Sequence, residues 1–209
     1  MTPPLLAPDR RADIKARHRE AILDAADGLI RERGKPQFSV HELADRADVS
    51  RRTVFNHFSS LDDVIMTTCT RLLGGVVDDF RAATQLTFRD GSREDLFAEI
   101  TAAVRAMELP TVVAYLSGVL NEEGAASRSP HALLDVFTRA TQQLSTEIAD
   151  RSTAIDEFEV AILVSSVMNG VAVVSEHWLA RTGGSLDESS RAVWADLVDR
   201  LITSLRTGY

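Results

Sequence analysis

Cysteine is almost absent from these 209 residues: Cys69 stands alone, which forbids an internal disulfide and fits a reducing cytoplasm. Proline (6) and glycine (11) are too few for a disordered chain or for the turn traffic of a β-rich fold. Lysine is scarce as well, with 2 against 21 arginines, a bias that points to a high-GC bacterial genome through codon usage rather than physics. No apolar segment follows the basic residues near the N-terminus, so no secretory leader is expected. The most apolar run, Val160 to Val174, is broken by Ser165, Ser166, Asn169 and Gly170. It falls short of the ~18 continuous apolar residues of a membrane span, and no membrane partner is expected. Catalytic and metal-binding patterns are missing too. His18, His131 and His177 have no second ligand at helical i,i+3 or i,i+4 spacing. The acid pairs Asp62-Asp63, Asp78-Asp79 and Glu122-Glu123 are adjacent, and adjacent helical residues point apart. With no Gly-rich phosphate loop and no nucleophile elbow, we expect no catalytic residue, metal or cofactor, and no enzyme.

What is present is apolar, helical and unevenly charged. The apolar fraction of 44% is ample for a core. The net charge of −8 divides into +2 over residues 1–58 and −10 over residues 59–209. A mildly basic end on an acidic body suits a protein of which only one end faces phosphates, although an acidic bacterial protein needs no such reason. Helical spacing recurs along the chain, and no segment reads as a strand, so the expected fold is all-α with about nine helices. A flexible arm of about ten residues opens the chain, followed by a helix with Ile14, Ala21, Ile22, Ala25, Leu29 and Ile30 on one stripe, ended by Gly34. Lys15 and Arg17, with Arg10, Arg11 and Arg19, either hold phosphates or a minor groove or form a solvated face.

The informative stretch is Phe38 to Phe58. Ser39 followed by Glu42 has the spacing of a capping box, and Phe38 with Leu43 that of a hydrophobic staple. Ser50 caps a second short helix, flanked by Val49 and Val54. Two helices of about two turns, joined this closely, cross steeply as a helix-turn-helix. The second carries Arg51, Arg52, Thr53, Asn56 and His57, a donor-rich set on a piece short enough to enter a major groove. Ser60 then caps a helix whose apolar positions run from Leu61 to about Ala83, roughly 35 Å at 1.5 Å per residue. Further helices are expected at Arg93–Met107, Pro110–Glu122, Pro130–Asp150, Asp156–Arg181 and Leu186–Arg206, with a break at Asp90-Gly91-Ser92 and a loop from Asn121 to Ser129.

This order resembles the tetracycline-repressor (TetR) family of bacterial transcription regulators. The resemblance is carried by Ser39, Leu43-Ala44, Val49-Ser50, Thr53, Val54, Phe55 and His57-Phe58 at fixed spacing. It implies that Arg51, Arg52, Thr53 and Asn56 face the groove, with one arginine on a base and its neighbour on a phosphate. Ser39, Ser50, Phe55 and His41 complete the expected DNA-side set; His41 either reaches DNA or is merely solvated, and His57 either touches a phosphate or packs at the helix end. Three positions depart from the family pattern. Phe55 lacks the hydroxyl of the usual Tyr, Leu61 replaces a common Lys, and Asp48 replaces the turn Gly.

For the rest of the chain, the resemblance implies a DNA-binding domain over 1–60 and a ligand-binding and dimerisation domain over 61–209, with 61–83 as the connecting helix. It implies a cytoplasmic homodimeric repressor on a palindromic operator of double-stranded DNA, released by a small, mostly apolar ligand. An activator, or a regulator answering to a protein, has the same residues; a helical enzyme or small-molecule binder is the remote rival. Ligand-lining residues would be Phe80, Phe97, Met107, Tyr115, Phe137, Met168 and Asn169, each of which also reads as plain core. The last two long helices would pair across a two-fold axis through Gly170, Val174, Trp178, Trp194, Leu197 and Leu201, unless these cover the monomer's own core. Cys69 is expected as a small core residue.

Overall fold

The computed structural model describes residues 10–85, 92–120, 130–150 and 155–207. Among them are nine helices and no strand. They are α1 (Arg10–Arg33), α2 (Val40–Arg46), α3 (Arg51–His57), α4 (Leu61–Gln85), α5 (Arg93–Ala106), α6 (Leu109–Leu120), α7 (Pro130–Ala149), α8 (Glu157–Thr182) and α9 (Glu188–Thr207). The N-terminal arm, the Asp90-Gly91 break and the 121–129 loop lie outside the described residues, as does the side chain of Phe137.

Apolar periodicity sorts the buried side chains into two clusters. The first joins Ile22, Ala26 and Ile30 of α1, Leu43 of α2, Val54 and Phe58 around α3, and Val64, Ile65 and Cys69 of α4. Tyr115 and Val119 of α6 belong to the same cluster, so α6 reaches into the N-terminal end of the molecule. The second joins Phe80 of α4 with Leu96, Ile100, Leu144, Val164, Trp178, Trp194 and Ile202 from α5, α7, α8 and α9. The chain passes between the clusters inside α4: Leu72 and Leu73 pack on the first, Val76 and Val77 on the second. Gly74 and Gly75 stand between them.

By length and composition α8 is apolar enough to cross a membrane, so its serines and Asn169 interrupt the run less than its pattern suggests. One face of it, including Val160, Val164, Val167 and Trp178, is buried inside the chain. The other exposes Phe158, Ile162 and Val173.

Candidate nucleic-acid interface

The helix-turn-helix is assembled by local hydrogen bonds that its sequence specifies. At the start of α2, the Ser39 Oγ accepts from the Glu42 N–H at 3.2 Å, while the Ser39 N–H donates to the Glu42 carboxylate at 2.8 Å. Arg33 reaches over from α1 and donates to the same carboxylate at 2.9 Å. These donors pull Glu42 down to about 2, the Ser39 backbone N–H contributing most, then Arg33 and the Ser39 hydroxyl. At the start of α3, the Ser50 Oγ accepts from the Thr53 N–H at 3.0 Å and sits 2.8 Å from the Thr53 hydroxyl. Asp48, in the turn, has φ +52°, a left-handed conformation that a short polar side chain tolerates where a Gly is usual.

Two further arginines brace the unit. Arg46 of α2 pairs with Glu32 of α1, at 3.0 Å for one nitrogen–oxygen contact. Arg19 of α1 donates to the His57 carbonyl at 3.2 Å and lies 4.4 Å from the centre of the Phe58 ring. It thereby satisfies a carbonyl at the open end of α3 and holds that end against α1.

The seven residues of α3 extend about 10 Å, within the roughly 12 Å width of a major groove. Val54 is buried, and it fixes which face looks outward. At 100° per residue, Arg52 and Asn56 lie about 160° and 200° from Val54, at the centre of the outer face. Phe55 and Thr53 flank them about 100° to either side of Val54, and Arg51 stands only about 60° away, towards the rim. Arg51, Arg52, Phe55 and Asn56 are all exposed, Phe55 to 54%. The outer face thus offers two planar hydrogen-bonding groups, flanked by an apolar ring.

The remaining DNA-side residues gather unevenly. Ser39 and Ser50 are exposed, and their hydroxyl oxygens accept from backbone N–H groups at the caps. His41 is exposed on α2, its ring 3.7 Å from Asp45. Lys15 and Arg17 are exposed on α1. His57 is half-buried, its ring edge-on to His18 at 6.3 Å. Burial first, then Lys15, His18 and Arg19, hold its pKa below the ordinary histidine value. The cationic cluster at this corner was not read as such in the sequence, although His18, Arg19 and Lys15 share one side of α1 at i,i+3 and i,i+4 spacing.

Residues 22–65, which span the end of the brace, both motif helices and the start of α4, match the sequence model of bacterial regulatory proteins of the tetR family. The helix-turn-helix of this chain is that of the TetR family, a family of DNA-binding regulatory proteins. A TetR-family transcriptional regulator from Mesorhizobium loti has the same fold, with a TM-score of 0.62 over 92% of this chain and 95% of its own at 17% identity. The fatty acid degradation regulator FadR from Bacillus halodurans is similar with a TM-score of 0.54, over 91% and 95% of the two chains at 18% identity. No protein of curated function matches the chain's sequence at a significant level.

Away from the DNA side, the expected ligand residues are distributed between the two clusters. Phe80 is in the body core, and Phe97, Met107 and Met168 pack against it. Tyr115 is not among them: it is buried in the N-terminal cluster, its hydroxyl pushed up by burial and by the nearby Asp27 carboxylate. Its outer edge borders a cleft of about 890 Å³ between the end of α1, α6 and the α8–α9 turn. Asn169 is exposed, so it is no buried polar group in need of a partner.

Most of the expected interface residues lie inside the chain. Val174, Trp178, Trp194 and Leu197 are buried within their own chain. The two indoles stack edge-on at 5.6 Å, and the Trp178 N–H donates to the Ser190 carbonyl at 2.8 Å. A Cβ on Gly170 would lie 2.3 Å from a methyl of Leu201, so that glycine lets α8 and α9 approach inside the monomer. The face left over on α8 is Phe158, Ile162, Asn169 and Val173, spaced by 4, 7 and 4 residues; the pattern was visible, but it was masked by the second apolar face of the same helix.

Proposed function

We propose that the chain is a homodimeric, cytoplasmic repressor that binds a palindromic operator and leaves it when a small, mostly apolar molecule enters the body. Residues 1–60 read the DNA and residues 61–209 carry the dimer contact and the ligand, with α4 joining them. What supports the reading best is the outer face of α3, where Arg52 and Asn56 stand opposite Val54 with no ion pair to engage the arginine among the described residues. An arginine of this kind is bidentate to guanine, and an asparagine to adenine. Ser50, Thr53, Lys15, Arg17, His41 and His57 contribute phosphate contacts around it, and Arg51 does so from the rim. The second copy is held by the exposed face of α8 rather than by Trp178 and Trp194. A pair of such heads about 34–36 Å apart reads two half-sites one turn apart. The ligand occupies the body near Phe80, Phe97, Met107 and Met168.

The test is a mobility-shift titration on the DNA upstream of the chain's own gene, with the wild type and with Arg51→Ala and Arg52→Ala. Steeply salt-dependent, palindrome-specific binding, weakened by the substitutions, is the expected result. Unchanged specific binding by both variants would overturn the assignment of the groove face.

A further inference from the structure

Gly74 and Gly75 lie within the continuous helix α4, where its apolar contacts pass from one cluster to the other. Packing does not demand them, because a Cβ built on either meets nothing within 4 Å. Alanine would therefore fit at both positions, and it forms helix about 2- to 5-fold more readily per residue. The helix on each side is pinned to a different partner. Before the glycines, Arg71 pairs with Glu20 at 3.1 Å and Asp24 at 2.7 Å, both on α1. After them, Arg81 pairs with Glu147 of α7 at 2.7 Å. Apolar packing divides at the same point, with Leu72 and Leu73 on one cluster and Val76 and Val77 on the other.

α6 is the other main crossing. A Cβ on Gly118 would lie 2.2 Å from the Gly34 carbonyl oxygen, so the backbone of α6 rests directly on the loop that follows α1. With Tyr115 and Val119 in the N-terminal cluster, the distal part of α6 is tied to the head, while Leu109, Val113 and Ala114 at its start pack on the body cluster.

We infer that the Gly74-Gly75 pair is a joint, and that the unit which moves is the helix-turn-helix together with α1, the first half of α4 and the distal part of α6. The joint lets the head swing on the body without breaking the apolar contacts or the arginine pairs that α4 makes on either side of it. Its use in releasing DNA rests on the reading of the chain as a ligand-responsive dimer; its existence does not.

Hydrogen exchange followed by mass spectrometry on the full chain tests the joint directly. In the wild type, amides of residues 75–79 should exchange faster than those of 66–70 and 80–84 in the same helix. The double variant Gly74→Ala/Gly75→Ala should slow them by about 5- to 30-fold and leave residues 22–58 unchanged. Uniform exchange along α4, or no slowing in the double variant, overturns the joint. A second arm uses operator duplexes whose half-sites are moved apart or together by one or two base pairs. The wild type should tolerate these better than the double variant. Equal losses in both proteins, with the exchange result intact, would remove the joint from control of head spacing. Absence of operator binding by the wild type would instead count against the DNA reading.

Discussion

At the scale of single residues, the two neighbouring arginines of α3 have different work. Arg52 projects from the centre of the outer face and Arg51 from its rim, 100° apart. Arg52→Ala should lower operator affinity by about 1–3 kcal/mol and relax discrimination at one base pair, read by titrating a panel of single-base operator variants. Arg51→Ala should weaken all sequences alike and reduce the slope of log affinity against log salt by about one. His57 makes a pH prediction of two opposite signs. Its folded pKa lies below the ordinary value because of burial and the cations around it, so the fold favours neutral imidazole. Stability of the free protein from this group is therefore present above pH ~6.5 and declines as pH falls through the depressed value. A DNA phosphate beside the ring raises the same pKa, so operator affinity should rise as pH falls from about 7 towards 5.5, and His57→Gln should flatten that rise. Affinity titrations at several pH values, beside thermal melts of the free protein, separate the two trends.

Elements explain what was legible and what was not. Both motif helices were readable because their determinants are local: Ser39 with Glu42, Ser50 with Val49 and Val54, and a polar residue able to turn left-handed at Asp48. Glu42 gives this legibility an energetic signature. Held near 2 by Ser39 and Arg33, it contributes stability that is present above the usual carboxylate pKa of about 4.3 and is lost as pH falls towards 2. Thermal melts between pH 5 and 2.5 should show a steeper loss for the wild type than for Glu42→Gln, which begins less stable. Equal slopes would mean that the box forms equally in the unfolded chain. Helix α8 was harder because it has two apolar faces, and a hydrophobic stripe does not say whether its cover comes from the same chain. Trp178 and Trp194 looked like anchors between copies, yet the hydrogen bond from Trp178 to Ser190 and the Gly170–Leu201 approach belong to one chain. Gly74-Gly75 was overlooked in the sequence, since a helical pattern runs through it on both sides; its meaning depends on which cluster each half of α4 joins.

For the whole molecule, the separation of those two faces makes assembly and folding independently breakable. Val173→Asp, on the exposed face, should shift the protein from dimer to monomer by light scattering while its helicity is kept. Trp178→Ala should instead destabilise the chain by about 3–5 kcal/mol, since it empties a fully buried site and removes the hydrogen bond that ties α8 to the Ser190 carbonyl. The reverse pattern would return the indoles to the interface. Finally, the one thiol of the chain is wholly enclosed at the centre of the head, next to the helices that carry the motif. A thiol reagent can meet Cys69 only when that core opens, so its labelling rate is a native clock for head opening, with no probe to introduce and no other sulfhydryl to confuse the count. Operator DNA, by holding the head closed, should slow that clock.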